Sequence, residues 1–344
     1  MLKNTLTTLK MNGRKPHSIT WVSIISFPRL HVTLIGMNKG GYRINGGIGF
    51  AIQKPPIRVK VRRSHIFNFT DKRDKPLDQN QRERLMAVIN DVCQKYGFTN
   101  NITVEVSGKM KTNYGFGSGT AVRLSCLEAL FILNAYEYDN ETLIQVSGRG
   151  GTSGIGIRTF FQGGMILDIG RRFIGDKFEP SCFVENRQEP ALQLQRMEMP
   201  SWDIGLCIPL SIPSKNEQQE KSFFEKNCPI NVTQVYRTLY HVIFGLMAAV
   251  KEKDKENFCK ALQAIQNCTW KRAEREQYGV ILSKLEEKLY SCGAAAVGMS
   301  SLGPTLYFLA DNVRNVISKM KSSKYQCDLI RTCPINEGRS ISYD

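Results

Sequence analysis

The chain has 344 residues, more than one hydrophobic core usually serves, so two domains are expected. Its hydrophobic fraction of 42% and charged fraction of 23% are typical of a globular protein, and no run approaches the roughly 18–20 apolar residues that cross a bilayer. The polar stretch Met1–Lys15 lacks the apolar block of a signal peptide, which favours a cytoplasmic protein without a membrane partner.

The net charge of +16 favours an anionic partner, either a nucleic acid or a phosphorylated metabolite. A charge excess that serves only solubility is the alternative interpretation. The basic residues are spread along the chain without a stripe or a nucleic-acid motif, so no nucleic-acid partner is expected. The ten cysteines form no C-x-x-C pair, and they are interpreted as reduced, mostly buried small hydrophobic residues.

In the first half of the chain, alternating apolar residues and β-branched residues predict strands, and apolar residues three and four positions apart predict helices. Strands are predicted at Trp21–Ser26, Leu30–Ile35, Gly47–Ile52, Ile57–Asn68, Ile102–Val106 and Met165–Ile169. Helices are predicted at 77–96, Ala121–Tyr136 and Glu141–Val146.

The polar segment 171–200, with three prolines, predicts a domain junction that divides the chain into residues 1–195 and 196–344. Strands are predicted beyond it at Trp202–Pro209, Ala294–Gly298, Thr305–Ala310 and Lys324–Arg331. Helices are predicted at 216–226, 231–250, 255–268, 278–291 and Asn312–Met320. Because strands and helices mix in both halves without a strict βαβ period or a repeat, the fold class is predicted as α+β.

The glycine-rich loop Gly115–Thr120 follows a strand and begins a helix. A helix start offers unpaired N–H groups and a partial positive charge, and glycines let the backbone close on a phosphate. Ser118 and Thr120 add hydroxyl donors. The loop is neither a Walker A motif nor a Rossmann fingerprint. It therefore predicts a phosphate site, with a tight turn without ligand as the alternative.

Two further glycine-rich segments lie downstream. Gly148–Gly156 contains Arg149, whose guanidinium suits a phosphate or a carboxylate unless it is only a surface arginine. Gly298–Thr305 lies between two predicted strands, and its small hydroxyl and glycine residues suit a loop that closes over a ligand.

Three segments, taken in order, resemble the motifs of the superfamily of galactokinase, homoserine kinase, mevalonate kinase and phosphomevalonate kinase. They are Pro28–Gly36, Gly115–Thr120 and Gly298–Thr305. The resemblance spans nearly the whole chain. It implies a two-domain α+β fold of the GHMP-kinase type, with an N-terminal half like ribosomal S5 domain 2 and a ferredoxin-like C-terminal half.

The departures from the kinase pattern resemble a non-kinase branch, the β-ribofuranosylaminobenzene 5'-phosphate synthases. Gly156 stands where the kinases often carry an aspartate near the phosphoryl acceptor, so that carboxylate is missing. The phosphate loop reads Gly-Ser-Gly-Thr where kinases usually read Gly-Ser-Ser-Ala. The segments similar to this branch are Arg29–Ile35, Asn45–Gly49, Gly117–Thr120, Gly148–Gly156 and Pro334–Gly338.

The resemblance implies a pentosyltransferase that joins phosphoribosyl pyrophosphate (PRPP) to 4-aminobenzoate or 4-hydroxybenzoate, with pyrophosphate and carbon dioxide leaving. The family's usual setting is methanopterin biosynthesis. The resemblance also implies Mg²⁺ as cofactor, PRPP as co-substrate and a homodimer. Backbone N–H groups, Mg²⁺ and arginine would stabilise the departing pyrophosphate.

The resemblance also assigns roles to residues. Arg29, His31 and Arg149 are the expected catalytic residues. The expected phosphate contacts are Gly115, Gly117, Ser118, Gly119, Thr120, Gly150, Gly151, Thr152, Ser153, Ser300, Ser301 and Gly303. The expected substrate contacts are Thr33, Asn38, Arg43 and Asn45, and Asp168 is expected to contact magnesium or ribose. The structural alternatives are a buried core histidine for His31 and turn residues for Asn38, Arg43, Asn45 and Asp168.

Two competing functions remain at this stage. A kinase of the same fold would use ATP and Mg²⁺, and Gly156 argues against it. A non-catalytic nucleotide or RNA binder would explain the charge of +16, but the three glycine-rich segments argue against that class.

Overall fold

The computed structural model describes residues 19–172, 177–180, 183 and 190–344. The polar N-terminal stretch Met1–Lys15 and Cys182 lie outside the described residues. The first strands are β1 (Trp21–Ser26), β2 (Arg29–Gly36), β3 (Arg43–Ala51), β4 (Ile57–Arg63), β5 (Asn68–Asp71), β6 (Ile102–Gly108), β7 (Met165–Asp168) and β8 (Arg171–Arg172). The remaining strands are β9 (Gln193–Met197), β10 (Ile204–Pro209), β11 (Ala296–Met299), β12 (Leu306–Leu309), β13 (Cys327–Thr332) and β14 (Ser340–Tyr343).

The helices follow the same chain order. They are α1 (Gln79–Tyr96), α2 (Ser118–Leu133), α3 (Asn140–Ser147), α4 (Ile155–Gln162), α5 (Glu217–Asn227), α6 (Val232–Tyr240), α7 (Ala248–Glu252), α8 (Lys255–Gln266), α9 (Thr269–Glu276), α10 (Gly279–Ser291) and α11 (Val313–Lys321). A π-helical segment, His241–Met247, joins α6 to α7. No helix in the described part of the chain is long and apolar enough to cross a bilayer.

The first sheet has the strand order β14-β1-β4-β6-β5. Strand β4 alternates buried apolar residues with exposed Arg58, Lys60 and Arg62, so only one of its faces belongs to the core. Helix α2 contacts β4 and β1 and is buried along almost its whole length. Its sequence has apolar residues on every side, which is the pattern of a central helix.

Two further sheets complete the fold. One contains β2-β3-β7-β9, with β8 paired to β3, and it places the segment before β4 beside the start of β2. The other has the order β11-β12-β10-β13, and all of its pairs are antiparallel. Apolar side chains from all three sheets join one large buried cluster.

Two predicted elements differ from the structure. The predicted strand Ile57–Asn68 ends at Arg63, and β5 begins at Asn68. The chain must turn between them because β4 and β5 lie on opposite edges of β6. The predicted helix 231–250 contains the π-helical segment, where a Cβ added at Gly245 would lie 2.7 Å from the Cβ of Ala261. The close approach to α8 therefore depends on that glycine.

The last strand returns to the start of the chain. Strand β14 pairs with β1, and β9 pairs with β7 across the proposed boundary between residues 195 and 196. The division into residues 1–195 and 196–344 stays a prediction. Elements α4, α9, β9 and β14 were not predicted. Glycine-rich sequence conceals the start of α4, polar or charged residues dominate α9 and β9, and the four residues of β14 are too few to show a pattern.

Candidate active site

A cavity of about 190 Å³ lies where the three glycine-rich segments meet. It is bordered by the N-termini of α2 and α4, by the segment between β11 and β12, and by α5 and α9. The predicted site residues that line it are Arg29, His31, Gly115, Gly117, Ser118, Gly119, Thr120, Arg149, Gly150, Thr152, Ser153, Ser301 and Gly303. The fold therefore brings together segments that are far apart in the sequence.

Two helices start at this cavity without a side-chain cap. Gly117 precedes α2 in the left-handed conformation, with φ of 78°, and Gly154 precedes α4. Neither residue provides a side-chain hydrogen bond to the first turn of its helix. At α4, the Ile155 N–H donates to the Ser153 hydroxyl and the Gly154 N–H donates to Asp168. The first-turn N–H groups of α2, together with the helix dipole, therefore form the end suited to an anion.

The segment between β11 and β12 supports the phosphate loop. The Ser300 hydroxyl donates to the carbonyl of Gly115 at 2.6 Å and accepts from the N–H of His31 at 3.0 Å. A Cβ at Gly115 or at Gly303 would lie 2.1 Å from backbone atoms of the other segment. Glycine is required at both positions because the two backbones touch. Ser300 thus lies behind the loop and not in the lining of the cavity.

Two arginines face the cavity. Arg29 donates through Nη1 to the Gly115 carbonyl, and its buried Nε has no partner among the described residues. Burial lowers the pKa of Arg29 to about 10, and Glu220 and Glu274 oppose that effect, so the guanidinium stays charged at neutral pH. Arg149 donates to Thr120 Oγ1 from Nε at 3.3 Å and from Nη2 at 3.1 Å. Positive charge is therefore held on both sides of the α2 N-terminus.

Gly156 opens the cavity in the first turn of α4. A Cβ added there would meet nothing closer than 4.0 Å, and its nearest neighbours would be Arg29 Nε and the Thr120 side chain. The place where the kinase pattern carries a carboxylate is therefore open space beside a guanidinium.

His31 is buried at the edge of the cavity. Its Nε2 lies 3.3 Å from Ser153 Oγ, and Ser153 donates to Asp168 Oδ2 at 3.0 Å. Burial, together with the positive charges of Arg29 and Lys271, holds the pKa of His31 well below its usual range. The imidazole is therefore neutral at neutral pH.

Asp168, the predicted metal or ribose contact, does not line the cavity. Its Oδ2 also accepts from the Gly154 N–H at 3.0 Å, and its Oδ1 accepts from the Gly170 N–H at 3.0 Å. Burial raises its pKa to about 6, and these hydrogen bonds oppose the rise. The structure places Asp168 behind Ser153 and next to the N-terminus of α4.

The predicted substrate contacts Thr33, Asn38, Arg43 and Asn45 also lie outside the cavity lining, as does Gly151. All four side chains donate to backbone carbonyls: Thr33 to Leu34, Asn38 to Lys39, Arg43 to Ile169 and Gly170, and Asn45 to Gly151. Thr33 lies in β2, Asn38 follows β2, and Arg43 and Asn45 lie in β3. In this structure the four side chains support the backbone around the cavity, and their role as substrate contacts stays a prediction.

Sequence reasoning missed the acidic residues of the cavity, which are Glu217, Glu220 and Glu274. Burial raises the pKa of Glu220 to about 7, and neighbouring Glu217 adds to the rise. Glu274 accepts from Trp270 Nε1 at 2.8 Å and from Lys271, and Lys271 Nζ also donates to the Met299 carbonyl at 2.7 Å. The spacing of Trp270 and Ala273 is the signal that could have revealed a buried face on α9.

No group of three or more histidine, cysteine, aspartate or glutamate side chains that could hold a metal ion occurs in the described ranges. Mg²⁺ usually keeps several waters and is bound through one or two carboxylates together with substrate phosphates. Glu220 and Glu217, which line the same cavity as the N-terminus of α2, fit that mode, whereas a site built from protein ligands alone does not.

Comparison with known proteins gives the family of the chain. Residues 83–164 match the GHMP kinases N terminal domain. The chain is 31% identical to a β-ribofuranosylphenol 5'-phosphate synthase of Archaeoglobus fulgidus over 91% of this chain and 97% of the relative. It is 30% identical to the protein of the same name from Methanothermobacter thermautotrophicus, over 84% of this chain and 88% of the relative.

Solved structures confirm the fold class. Homoserine kinase from Cytophaga hutchinsonii superposes with a TM-score of 0.64 at 14% identity, covering 94% of this chain and 98% of that chain. Mevalonate diphosphate decarboxylase from Staphylococcus aureus gives 0.62 at 13% identity with the same coverage. The predicted two-domain α+β fold of the GHMP-kinase type is confirmed. By sequence, the chain belongs to the β-ribofuranosylphenol 5'-phosphate synthase family, a non-kinase branch of the GHMP kinase superfamily.

Proposed function

We propose that this enzyme is a PRPP-dependent, decarboxylating C-glycoside synthase. The observation that carries the proposal is the combination of Gly156 with two arginines and the uncapped N-terminus of α2 in one cavity. A phosphoryl transfer to a hydroxyl group is assisted by a carboxylate near that hydroxyl. Displacement of pyrophosphate from ribose instead needs hydrogen-bond donors that stabilise the departing anion, and the cavity offers such donors.

The pyrophosphate leaving group fits the N-terminus of α2. The first-turn N–H groups at Ser118, Gly119 and Thr120 would face its oxygens, and Arg149 lies beside Thr120. As the bond to ribose C1 breaks, negative charge grows on pyrophosphate. Donors that are already fixed stabilise such charge without reorganising, which lowers the barrier.

Glu220 would hold magnesium, and Glu217, which pairs with Arg84 at 2.6 Å, lies beside it in the lining. Bound there, Mg²⁺ would neutralise part of the charge on the leaving group. Glu274 is less available, because its carboxylate already accepts from Trp270 and Lys271.

The aromatic acid fits the open space beside Gly156. The unpartnered Nε of Arg29 faces that space and can donate to a carboxylate. The relatives' name specifies a ribofuranosylphenol product, which 4-hydroxybenzoate would give after loss of carbon dioxide. We therefore propose 4-hydroxybenzoate as the first acceptor to test, with 4-aminobenzoate second. A role in methanopterin biosynthesis, a cytoplasmic location and a homodimer belong to the same proposal.

The test is direct. Purified protein is incubated with Mg²⁺, PRPP and carboxyl-labelled 4-hydroxybenzoate or 4-aminobenzoate, and released carbon dioxide and pyrophosphate are measured. Equal amounts of both products that depend on PRPP and on the acid are expected. No release with either acid, together with ATP-dependent phosphorylation of a metabolite, would replace the synthase with the kinase alternative.

A further inference from the structure

We propose that His31 is the proton acceptor of the reaction, acting through Nδ1, and that Ser153 and Asp168 are positioning residues that fix the tautomer of its ring. The chemical step rests on the proposed function, whereas the tautomer follows from the hydrogen bonds alone. The three residues come from β2, from the glycine-rich segment before α4, and from the end of β7.

The direction of the hydrogen bonds follows from Ser153. Its hydroxyl carries one proton, which it donates to the Asp168 carboxylate at 3.0 Å. Its oxygen also accepts from the Ile155 N–H at 3.3 Å. The remaining lone pair faces His31 Nε2 at 3.3 Å, so Nε2 must carry the proton. In a neutral imidazole, Nδ1 is then a bare acceptor.

Nδ1 is buried and has no hydrogen-bond partner among the described residues, although the ring borders the cavity. A buried acceptor without a partner is costly in a native structure unless a ligand completes it. Arg29 Nε, in the same cavity, is also unpartnered. An acceptor and a donor, both buried and both without a partner among the described residues, therefore lie in the two side chains that line this end of the cavity.

Two glycines of β3 pack closely against His31 and leave room for its ring. A Cβ added at Gly47 would lie 3.1 Å from His31 Nε2, and one at Gly49 would lie 3.2 Å from the His31 Cα. The backbone N–H of His31 donates to Ser300, and its carbonyl accepts from the Ser301 N–H at 3.2 Å. The family-like segment Asn45–Gly49 thus leaves the space that the imidazole occupies.

Glu220 and Glu217 are the residues proposed to hold magnesium, and the remaining candidates for proton acceptance are less suitable. Arg29 and Arg149 are donors, and a guanidinium does not give up its proton at neutral pH. Glu274 is engaged by Lys271 and Trp270. Asp168 lies behind Ser153 and outside the lining. The positive charges of Arg29 and Lys271 oppose protonation of His31, and two anionic substrates would offset them, which raises its basicity when the substrates are bound.

The bond between ribose C1 and pyrophosphate breaks, and its electron pair leaves on pyrophosphate. The ring carbon that carries the carboxylate bonds to C1, while the phenol O–H proton passes to His31 Nδ1 and the ring becomes a dienone. The bond to the carboxylate then breaks, carbon dioxide leaves, and its electron pair restores the aromatic ring as the phenol oxygen takes the proton back.

Ser153→Ala tests the positioning role, with Ser125→Ala as the matched control. Ser125 is fully buried and its hydroxyl has no partner among the described residues, but it lies within α2 and outside the lining. Two-bond ¹⁵N–¹H NMR correlations on ¹⁵N-histidine-labelled protein report the tautomer, and His31→Gln assigns the signal. We expect an Nε2–H imidazole in the wild type and in Ser125→Ala, and a mixture of tautomers in Ser153→Ala.

Measurements of kcat and of PRPP binding distinguish a positioning role of Ser153 from a role in phosphate binding. Ser153→Ala should lower kcat by roughly 100-fold, within the range of general-base contributions, and leave the Kd for PRPP unchanged. Ser153→Thr, which keeps a hydroxyl, should restore most of the rate. The loss should also shrink as pH rises toward the ionisation of the phenol, which for a tyrosine side chain is about 10.

A weaker PRPP complex with unchanged kcat, or an Nδ1–H imidazole in the wild type, would overturn the inference. Both results are distinct from failure of the proposed function, in which wild-type protein releases no carbon dioxide. Asp168→Asn is the second variant, because it removes the charge to which Ser153 donates, and its folding is checked by circular dichroism. If folded Asp168→Asn and Ser153→Ala both keep the wild-type rate, the proposed role of His31 is wrong.

Discussion

At the scale of single residues, hydrogen bonds to the phosphate loop hold both arginines of the cavity in position. Arg29 is anchored to the Gly115 carbonyl and Arg149 to the Thr120 hydroxyl, so both guanidinium groups are held in place before a ligand arrives. Preorganised charge of this kind contributes more to binding than a mobile surface side chain, because less side-chain entropy is lost.

Arg149→Ala should weaken PRPP binding. Hydrogen bonds to charged groups contribute about 1.5–3 kcal/mol, which corresponds to a Kd that rises by roughly 10- to 150-fold. Arg272→Ala is the control, since Arg272 is 65% exposed and lies on the outer side of α9. Isothermal titration calorimetry with PRPP and Mg²⁺ measures both, and equal affinities in the two variants would remove Arg149 from the site.

Some residues of the cavity could be predicted from the sequence, and others could not. Arg149 and Ser153 stand in a glycine-rich run whose composition is unusual, and Gly156 is visible because a kinase motif is known at that place. Glu220 and Glu274 lie in ordinary charged helices, where nothing local distinguishes a cavity-facing glutamate from a solvated one. Their position depends on how α5 and α9 pack, which is a tertiary property.

At the scale of elements, the contact between the phosphate loop and the segment before β12 determines the shape of the cavity. Gly115 has φ of 85°, which glycine adopts without strain, and its backbone touches that of Gly303. Gly119, four residues further, has nothing within 4 Å of its Cβ position. Neighbouring glycines in one loop therefore have different tolerance to substitution.

Gly303→Ala should destabilise the protein and enlarge or distort the cavity, because its Cβ would lie 2.1 Å from the Gly115 nitrogen. Overpacking of this kind costs about 1–3 kcal/mol. Gly119→Ala, at the start of α2, should leave the free energy of unfolding unchanged or raise it by up to about 1 kcal/mol. Urea denaturation curves give both values, and equal stability of the two variants would contradict the close contact.

The elements themselves were mostly predictable because their apolar residues repeat clearly. Helix α1, for example, buries Leu85, Val88, Ile89 and Val92, the positions from which it was predicted. Helix α4 was missed because its first turn belongs to the glycine-rich run, and β14 because four residues ending the chain show no pattern of their own. Strand β14 forms only because β1 offers an open edge.

At the scale of the whole molecule, the last residues of the chain pack against elements of the first half. After β13 the chain runs back, and Arg339 pairs with Glu128, a carboxylate buried in the middle of α2. Arg339 also lies over the ring of Phe161, and Tyr138 donates to the same carboxylate at 3.0 Å. The buried charge of Glu128 depends on a residue more than two hundred positions away.

Arg339→Ala should lower the free energy of unfolding by about 3–5 kcal/mol, because it leaves a buried carboxylate without its cation. Arg331→Ala is the matched control, since its ion pair with Asp203 is 41% and 43% exposed, and such surface pairs contribute less than about 1 kcal/mol. Thermal unfolding followed by circular dichroism compares them. A similar small loss in both variants would show that Glu128 does not rely on Arg339.

The contact between Gly115 and Gly303 also bears on how this protein can be recombined. The cavity wall is one surface made from two distant stretches of sequence, and neither stretch alone encodes its shape. A hybrid that took its first half from one relative and its second half from another would inherit two loop backbones that had never been fitted to each other. Exchange of the halves is therefore restricted to relatives that keep glycine at both positions. The two loops that form the catalytic cavity must otherwise be inherited together.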